Sequence, residues 1–262
     1  MDPHLMRVSV VIPNWNNVAL LTKCLDSLMS QCMQAFEVIV VDNGSEDGSV
    51  ALVSKHYPAV RLVLNTENKG FCAAVNQGAR LAKGDFLLLL NNDTELDRSA
   101  LKRMATALAV APPSVLGVFP KVVFADEPRV INSLGVVWNR SQLWRDLRVG
   151  QLDFGQHQSS EMVFGAIFAA VMVRARGFQA IGAFDEAHFS YGEDFDVCYR
   201  ANSFGYTFLT VPTSLVRHKH RASSGDNCNR EWAYYYYLRN YLYVILKNYE
   251  LSSLLDRGPA VM

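Results

Sequence analysis

The sequence lacks an excess of charge of either sign. Lysine and arginine together number 25, aspartate and glutamate also number 25, and the formal net charge is zero. Nucleic-acid-binding domains usually carry a strong basic excess, so the composition argues against a nucleic-acid partner. Half of the 262 residues are hydrophobic and only 19% are charged, which excludes extensive disorder.

The sequence also lacks a cysteine framework and a long apolar run. Its five cysteines are Cys24, Cys32, Cys72, Cys198 and Cys228. Their odd number and scattered positions, with no Cys-x-x-Cys pair, indicate reduced thiols and a cytoplasmic location. Because no run of about 18 apolar residues and no apolar signal region occurs, we predict no transmembrane helix and no secretion signal.

The first half of the chain instead alternates apolar strands with amphipathic helices. Strands are predicted at 8–12, 36–41, 60–64 and 86–90, and helices at 18–29, 49–56 and 70–82. This alternation is typical of a mostly parallel central sheet with helices on both faces. We therefore predict an α/β fold.

The second half is less regular. A helix is predicted from Asp97, as N-cap, to Val110, followed by a strand at 115–124 and a loop-rich insertion at 125–160. Further elements are predicted at 194–203 (helix), 207–211 (strand) and 232–248 (helix). Residues 162–182 are small and apolar, which would permit the close approach of another chain or a ligand.

Polar residues follow each of the four predicted strands. They are Asn14 and Asn16, then Asp42, then Asn65 and Asn68, and finally Asn91 and Asp93. Ligands of parallel sheets bind beyond the carboxyl ends of the strands, so we predict a ligand site where these four loops converge. There Asp93 could hold Mg²⁺ or Mn²⁺ against a diphosphate, and Asp42 could accept a hydrogen bond from a ribose. Simple turn formation is the alternative for both residues.

Three carboxylates lie within four residues, at Glu193, Asp194 and Asp196. Close carboxylates repel one another and raise their pKa values. Such a group could act as a general base toward an acceptor hydroxyl. The alternative is a helix N-terminus rich in acids, which Asp196 fits better than Asp194 because it lies further into the helix.

The densest basic run, from Arg217 to Arg221, includes two histidines. It could neutralise a diphosphate leaving group, and an imidazole could complete a metal shell. A solvated surface loop is the alternative. Lys69 and Gly70 open a predicted helix whose backbone N–H groups could attract phosphate. The absence of Gly-x-Gly-x-x-Gly after the first strand argues against a nicotinamide site.

Seven ordered segments between about residues 7 and 225 resemble those of inverting glycosyltransferase family 2, which has the GT-A fold. They are Val8-Ser-Val-Val-Ile-Pro13-Asn-Trp-Asn16, Val-Ile-Val-Val-Asp42-Asn-Gly-Ser45, Asn68-Lys-Gly-Phe-Cys-Ala-Ala-Val-Asn76-Gln-Gly78, Asn91-Asn-Asp93-Thr94, Gly182-Ala-Phe-Asp185-Glu186, Gly192-Glu-Asp194-Phe-Asp196 and Val216-Arg-His218. The first, fifth and sixth segments look most like the rhamnosyltransferase-like branch. The resemblance implies a Rossmann-like nucleotide-binding half (1–97) fused to a smaller acceptor-binding half (98–225), followed by an aromatic C-terminal helix (226–262).

The resemblance also implies roles for individual residues. The donor nucleotide-sugar would be bound by Pro13, Asn14, Asn16, Asp42, Asn68, Gly70, Asn76, Asp85, Asn92 and Arg217. The acceptor would contact Gly165, Ala166 and Glu193. Asn91, Asp93 and His218 would hold a divalent cation (Mn²⁺ or Mg²⁺), with His220 as the competing ligand, and Asp194 would be the catalytic base. Asn91 replaces the first aspartate of the Asp-x-Asp motif, which gives the cation less negative charge.

The implied donor is dTDP-rhamnose or, second, a UDP-hexose, and the implied acceptor is a saccharide or a lipid-linked sugar. Tyrosines and tryptophan in the last helix suit a peripheral contact with the inner face of the membrane. Packing on the catalytic core or on a second copy is the alternative that we favour. A nucleotidyltransferase that makes nucleotide-sugars and a catalytically inactive nucleotide-sugar-binding module are the competing functions.

Overall fold

The computed structural model describes residues 6–138, 144–219 and 230–250. Its strands are β1 (Val8–Asn14), β2 (Glu37–Asn43), β3 (Arg61–Asn65), β4 (Phe86–Leu90), β5 (Thr94–Leu96), β6 (Val115–Phe124), β7 (Ile131–Ser133), β8 (Val136–Val137), β9 (Arg145–Asp146), β10 (Met162–Val163), β11 (Ala170–Arg174) and β12 (Thr207–His218). Its helices are α1 (Val18–Met29), α2 (Ser49–His56), α3 (Phe71–Leu81), α4 (Ala100–Val110), α5 (Ala175–Ala180), α6 (Glu193–Ser203) and α7 (Arg230–Asn248).

Ten of the described strands form one mixed sheet, whose main path runs β10-β12-β6-β11-β4-β1-β2-β3. β4, β1, β2 and β3 are parallel, as the alternating pattern predicts. β11 enters antiparallel between β4 and β6 and joins the two halves of the chain. The remaining strands of this sheet, β5 and β7, pair with β12 and β6, while β8 and β9 form a separate hairpin.

Helices cover both faces of the sheet. Successive side chains of each strand point to opposite sides, so a central strand such as β1 packs against helices on both faces. Val10 packs in the cluster that contains Leu25 of α1 and Met104 of α4. Val11 packs in the cluster that contains Val75 of α3 and Val197 of α6. Strands covered on both faces need apolar residues throughout, which explains the run of leucines in β4. The predicted α/β layering is therefore confirmed.

Two predicted boundaries are wrong. α4 begins at Ala100 behind Ser99, because the Asp97 N–H donates to the carbonyl of Leu215 at 2.9 Å and ties this residue to β12 instead. β12 does not end near Val211 but continues to His218, since a register shift between Val211 and Leu215 lets the strand resume beside β6. None of the helices in the described parts of the chain is long and apolar enough to cross a membrane.

Candidate active site

The side chain of Asn14 joins the carboxyl ends of β1, β2 and β4. Its amide nitrogen donates to Asp42 Oδ1 at 2.9 Å and to Ser45 Oγ at 3.1 Å. Its oxygen accepts from the Asn92 amide at 2.7 Å. The second Asp42 oxygen accepts from the Ser45 N–H at 2.8 Å. The structure thus brings together predicted donor residues at the expected edge, and each Asp42 oxygen keeps lone pairs for a ligand.

The loop after β1 is held in an unusual backbone conformation. Asn16 and Asn17 both have positive φ, of 57° and 64°, which asparagine tolerates better than most residues. The Asn16 N–H donates to Ser45 Oγ at 2.8 Å, and its side-chain oxygen accepts from the Glu46 N–H at 3.0 Å. Pro13 lies within β1 beyond its last pairing with β4, half-buried at the same edge.

Asn43 connects the end of β2 with the start of α3, a role that the sequence analysis missed. Its amide donates to the Gly70 carbonyl at 3.0 Å and to Asn68 Oδ1 at 3.3 Å. Asn68 Oδ1 also accepts from the Gly70 N–H at 2.9 Å. Gly70 has φ +87°, and a side chain there would collide with Phe189, so only glycine fits. Asn68 and Gly70 therefore lie at the predicted rim.

His218 lies beside Asp93 because β12 pairs antiparallel with β5, which places His218 opposite Thr94. Its Nε2 atom is 3.3 Å from Asp93 Oδ1, and both side chains are more than nine-tenths buried. On the other side of the ring, Nδ1 lies 3.1 Å from Asn132 Oδ1. An amide oxygen only accepts hydrogen bonds, so Nδ1 carries the hydrogen, and Nε2 of a neutral ring presents its lone pair to Asp93.

This arrangement fits a divalent cation. Two lone-pair atoms at 3.3 Å repel each other unless a proton or a metal ion lies between them. Asp93 Oδ1 and Asn91 Oδ1 are both buried, and neither accepts a hydrogen bond from a described residue. Adjacent ligands of an octahedral ion, at about 2.1 Å from it, are about 3 Å apart. The Asn132 contact is the outer support that metal-bound histidines usually have. His220, the competing ligand, lies outside the described residues.

A second group of possible ligands consists of Asp185, His188 and Asp196, whose ligand atoms lie within 4.8 Å of one another. Lys247 Nζ already lies 2.6 Å from Asp185 and 2.9 Å from Asp196, and Arg200 lies 2.7 Å from Asp196. Burial would raise the pKa of Asp185, but hydrogen bonds from Lys247 and other donors lower it to about 2. This group is therefore an ion-pair cluster that holds α7 against α6.

Asp194 lies in the first turn of α6, which begins after Gly192 at φ +83°. Burial and repulsion from Glu193 raise its pKa well above the usual value, although a hydrogen bond from the Phe168 N–H opposes the shift. Burial also raises the pKa of Glu193. Asp194 Oδ1 and Glu193 Oε2 are buried without a hydrogen-bond partner among the described residues. The pKa of Asp196 is lowered instead, because its ion pairs outweigh its burial.

Asp146, in the hairpin β8–β9, is a site residue that sequence reasoning missed. Burial raises its pKa, while a hydrogen bond with Ser133 and the nearby His218 lower it. Its charge in turn raises the pKa of Asp194. Asp146 therefore lies within electrostatic range of both His218 and Asp194. No periodic pattern in 125–160 could have marked it, since its position depends on long-range pairing.

The structure places three of the predicted donor-binding residues away from the candidate site. Asp85 precedes β4 and forms an exposed ion pair with Arg7, at the opposite end of this five-residue strand from Asn91 and about 20 Å away. Arg217 precedes His218 in the same strand and so points to the opposite face of the sheet. Asn76 is buried and uses its amide to hold the backbone of Phe184 at 2.9 and 3.0 Å.

Two predicted acceptor residues are also placed differently. Gly165 packs directly under α6, and a side chain there would collide with Cys198. Ala166 is fully buried, so it cannot contact an acceptor. The small residues do permit a close approach, but the approaching group is a helix of the same chain. Glu193 is the predicted acceptor residue that remains beside Asp194.

Comparison with known sequences identifies relatives of this chain. The family described as "Glycosyl transferase family 2" matches residues 9–169. The pre-mycofactocin glycosyltransferase of Mycobacterium tuberculosis is 30% identical over 230 residues, which are 86% of this chain and 45% of that protein. The amylovoran biosynthesis glycosyltransferase AmsB of Erwinia amylovora is 27% identical over 223 residues, 80% of this chain and 68% of that protein. The chain thus spans less than half the length of the mycobacterial relative.

Solved structures share the fold. GalNAc-T7, in a crystal structure with UDP, GalNAc and Mn²⁺, matches with a TM-score of 0.71 at 18% identity, over 93% of this chain and 48% of that one. The mannosyltransferase PcManGT from Pyrobaculum calidifontis, in complex with GDP-Man and Mn²⁺, has a TM-score of 0.58 at 22% identity, over 83% and 58%. These likenesses confirm the predicted GT-A fold.

Proposed function

Because this chain belongs to glycosyl transferase family 2, we propose that it transfers a sugar from a nucleoside-diphosphate sugar to an acceptor hydroxyl. The product would be a polysaccharide or glycoconjugate, as the names of several relatives suggest. The observation that carries the proposal is the position of Asp93 and His218, 3.3 Å apart at the carboxyl edge of the sheet. The Asp146 carboxylate interacts electrostatically with both His218 and Asp194.

We propose that Asn91, Asp93 and His218 hold a divalent cation. When bound, Mn²⁺ or Mg²⁺ would supply positive charge against the departing diphosphate. The chain prepares this site in two ways. Asn132 fixes the His218 ring so that Nε2 faces Asp93. The side-chain oxygens Asn91 Oδ1 and Asp93 Oδ1 are buried and accept no hydrogen bond from a described residue, which suits them to a bound cation.

Asp194 is the proposed catalytic base. Its carboxylate takes the proton of the acceptor hydroxyl while that oxygen forms a bond to the anomeric carbon of the donor. The bond from this carbon to the diphosphate oxygen breaks, and the nucleoside diphosphate leaves with the electron pair. One displacement of this kind inverts the configuration at the anomeric carbon. The raised pKa of Asp194 makes it a stronger proton acceptor than an exposed aspartate.

The donor nucleotide would lie along the network formed by Asn14, Asp42 and Ser45. Asp42 and the exposed Trp15 are the groups there that suit a ribose and a base. We propose dTDP-rhamnose as the first donor and a UDP-hexose as the second, on the resemblance of three segments to the rhamnosyltransferase-like branch.

The helix α7 would support the acceptor side. Its inner face packs on the core through Val244, and Tyr236 stacks on Phe189 at 5.4 Å between ring centroids, which favours the core-packing interpretation. Its outer face exposes Tyr234, Tyr235, Leu238, Leu242 and Leu246. A peripheral membrane contact of this face, beside a lipid-linked acceptor in the cytoplasm, is a further proposal, and a contact with a second copy is its rival.

A panel of nucleotides and nucleotide-sugars, with and without Mn²⁺, tests the proposed function by thermal shift. A ligand at 100 times its Kd stabilises the folded protein by about 2.7 kcal/mol, which is easily measured. Donor consumption that requires an acceptor would support transfer. Pyrophosphate release from a nucleoside triphosphate and a sugar phosphate would instead indicate a nucleotidyltransferase. Binding without turnover toward any acceptor would indicate an inactive binding module.

A further inference from the structure

The hairpin β8–β9 holds Asp146 in a fixed position. Val136 pairs with Asp146 across the hairpin, and it also bridges to Gly165 through an N–H···O bond of 2.8 Å. The Leu134 N–H donates to the Leu147 carbonyl at 3.0 Å. The backbone of Asp146 is therefore held by hydrogen bonds to the same segment on which α6 packs.

Neighbours of Asp146 reach both ends of the proposed active site. Ser133 interacts with the Asp146 carboxylate and directly follows Asn132, which holds His218. Trp144 stacks on Phe195 with ring centroids 4.1 Å apart, and Phe195 directly follows Asp194. Asp146 is thus connected through Ser133 and Asn132 to the proposed cation residue His218, and through Trp144 to the turn of α6 that carries the proposed base.

One carboxylate oxygen of Asp146 has no hydrogen-bond partner among the described residues. Asp146 Oδ1 is buried and accepts no hydrogen bond from a described residue. Among the described residues, Asp146 does not come close enough to both Asp93 and His218 for the three to share one ion. A buried carboxylate oxygen is costly unless it is hydrogen-bonded, so a ligand with hydroxyl donors is its natural partner.

The connections of Asp146 to both the cation residues and the base indicate which ligand this is within the proposed reaction. The diphosphate end of the donor lies at the cation and the attacking hydroxyl lies at the base, so the transferred sugar occupies the space between them. We propose that Asp146 accepts hydrogen bonds from hydroxyls of the transferred sugar and helps to determine which sugar is used. This inference rests on the proposed function and adds a specificity residue to it.

Replacing Asp146 by asparagine tests this role through binding alone. Calorimetry in the presence of Mn²⁺ compares UDP-glucose with UDP and dTDP-rhamnose with dTDP. We expect Asp146→Asn to weaken binding of the preferred nucleotide-sugar by about 10-fold or more, because a charged acceptor is lost. Binding of the matching nucleoside diphosphate should change less than about twofold, because it lacks the sugar. Glu127→Gln, the same change at an exposed position of the insertion, should leave both affinities unchanged.

Wild-type affinity of Asp146→Asn for the nucleotide-sugar would overturn the inference. So would an equal loss of nucleoside-diphosphate affinity, because that pattern indicates damage to the cation end or to the fold. Thermal unfolding checks the fold, and Asp146→Ser, which is neutral and smaller, serves as a second variant with the same expected pattern. Failure of the wild-type protein to bind any of the four probes would instead contradict the proposed function itself.

Discussion

Nε2 of His218 lies 3.3 Å from Oδ1 of Asp93, although 125 positions separate the two residues in the chain. The pairing of β12 with β5 brings them together, and the next backbone N–H, of Lys219, donates to the Asp93 carbonyl at 3.0 Å. The contact is therefore built into the sheet and does not depend on a flexible loop.

Removing the Asp93 carboxylate should remove the proposed cation site. We expect Asp93→Ala to weaken Mn²⁺-dependent binding of a nucleoside diphosphate by about 10-fold or more, because a hard cation loses its charged ligand. A titration with Mn²⁺ that is monitored by electron paramagnetic resonance measures this affinity. Glu95→Gln, in β5 and two residues after Asp93, is the matched control and should bind Mn²⁺ and the nucleoside diphosphate with unchanged affinity. An unchanged Mn²⁺ titration for Asp93→Ala would contradict the assignment.

Asn132 should act on the cation through His218. Without the Asn132 oxygen the imidazole ring is no longer held at Nδ1, so we expect Asn132→Ala to lower Mn²⁺ affinity by about 10- to 100-fold. Asn132→Asp keeps an acceptor at the same position and should restore most of the affinity. The same titration tests both variants, and equal losses in the two would argue against a positioning role.

The proposed base can be separated from binding. We expect Asp194→Asn to lower kcat by at least about 100-fold, because the acceptor hydroxyl loses its proton acceptor. Nucleotide-sugar binding, measured by calorimetry, should remain. Asp196→Asn is a useful comparison, because Asp196 serves the ion-pair cluster and its loss should affect stability more than kcat. Full activity of Asp194→Asn would remove this residue from the role.

Activity should depend on pH through the buried carboxylates. The pKa of Asp194 is raised by burial and by Glu193, so Asp194 stays protonated to a higher pH than an exposed aspartate. A general base must be deprotonated, so kcat/KM should fall as pH decreases through this raised pKa, well above pH 4. Glu193→Gln removes a repelling charge and should shift the midpoint downward. A pH–rate profile that is flat down to pH 4 would contradict this mechanism.

The ion-pair cluster should stabilise the fold above acidic pH. Although burial opposes the shift, hydrogen bonds from Lys247, the Ala187 N–H and Tyr243 lower the pKa of Asp185 to about 2, so the stabilisation is present above the ordinary value near 4 and is lost as pH falls toward 2. We expect Lys247→Met to lower the free energy of unfolding by about 2 kcal/mol at pH 7, with less effect at pH 3. Urea denaturation measures this. Lys219→Met breaks only an exposed pair with Asp126 and should cost less than about 1 kcal/mol.

Much of the fold and part of the site follow from the sequence. Strand ends are local features, so the patterns around β1, β2 and β4 predict that Asn14, Asp42 and Asn91 lie at one edge of the sheet. The pairing of Asp93 with His218 depends on sheet order, which local patterns do not contain, so it was expected only through the family resemblance.

The differences between the predicted and the observed positions of site residues have the same physical origin. The family resemblance places Asp85 in the donor site, whereas the direction of β4 puts Asp85 at the opposite end of this strand from Asn91. Gly165 and Ala166 are small because a helix packs on them, and composition does not distinguish a helix from a ligand. Asp146 was missed because its neighbours Ser133 and Trp144 become meaningful only once the hairpin has formed.

The attachment of α7 has a practical consequence for dividing the chain. Lys247 and Asn248 both contact Asp196, in the helix whose first turn carries Asp194. A fragment cut at residue 225, where the resemblance to other transferases fades, would remove Lys247 from between Asp185 and Asp196 and would leave Asp196 with Arg200 as its remaining ion-pair partner among the described residues. Shortened forms intended for crystallisation or assay should therefore retain residues up to at least 250.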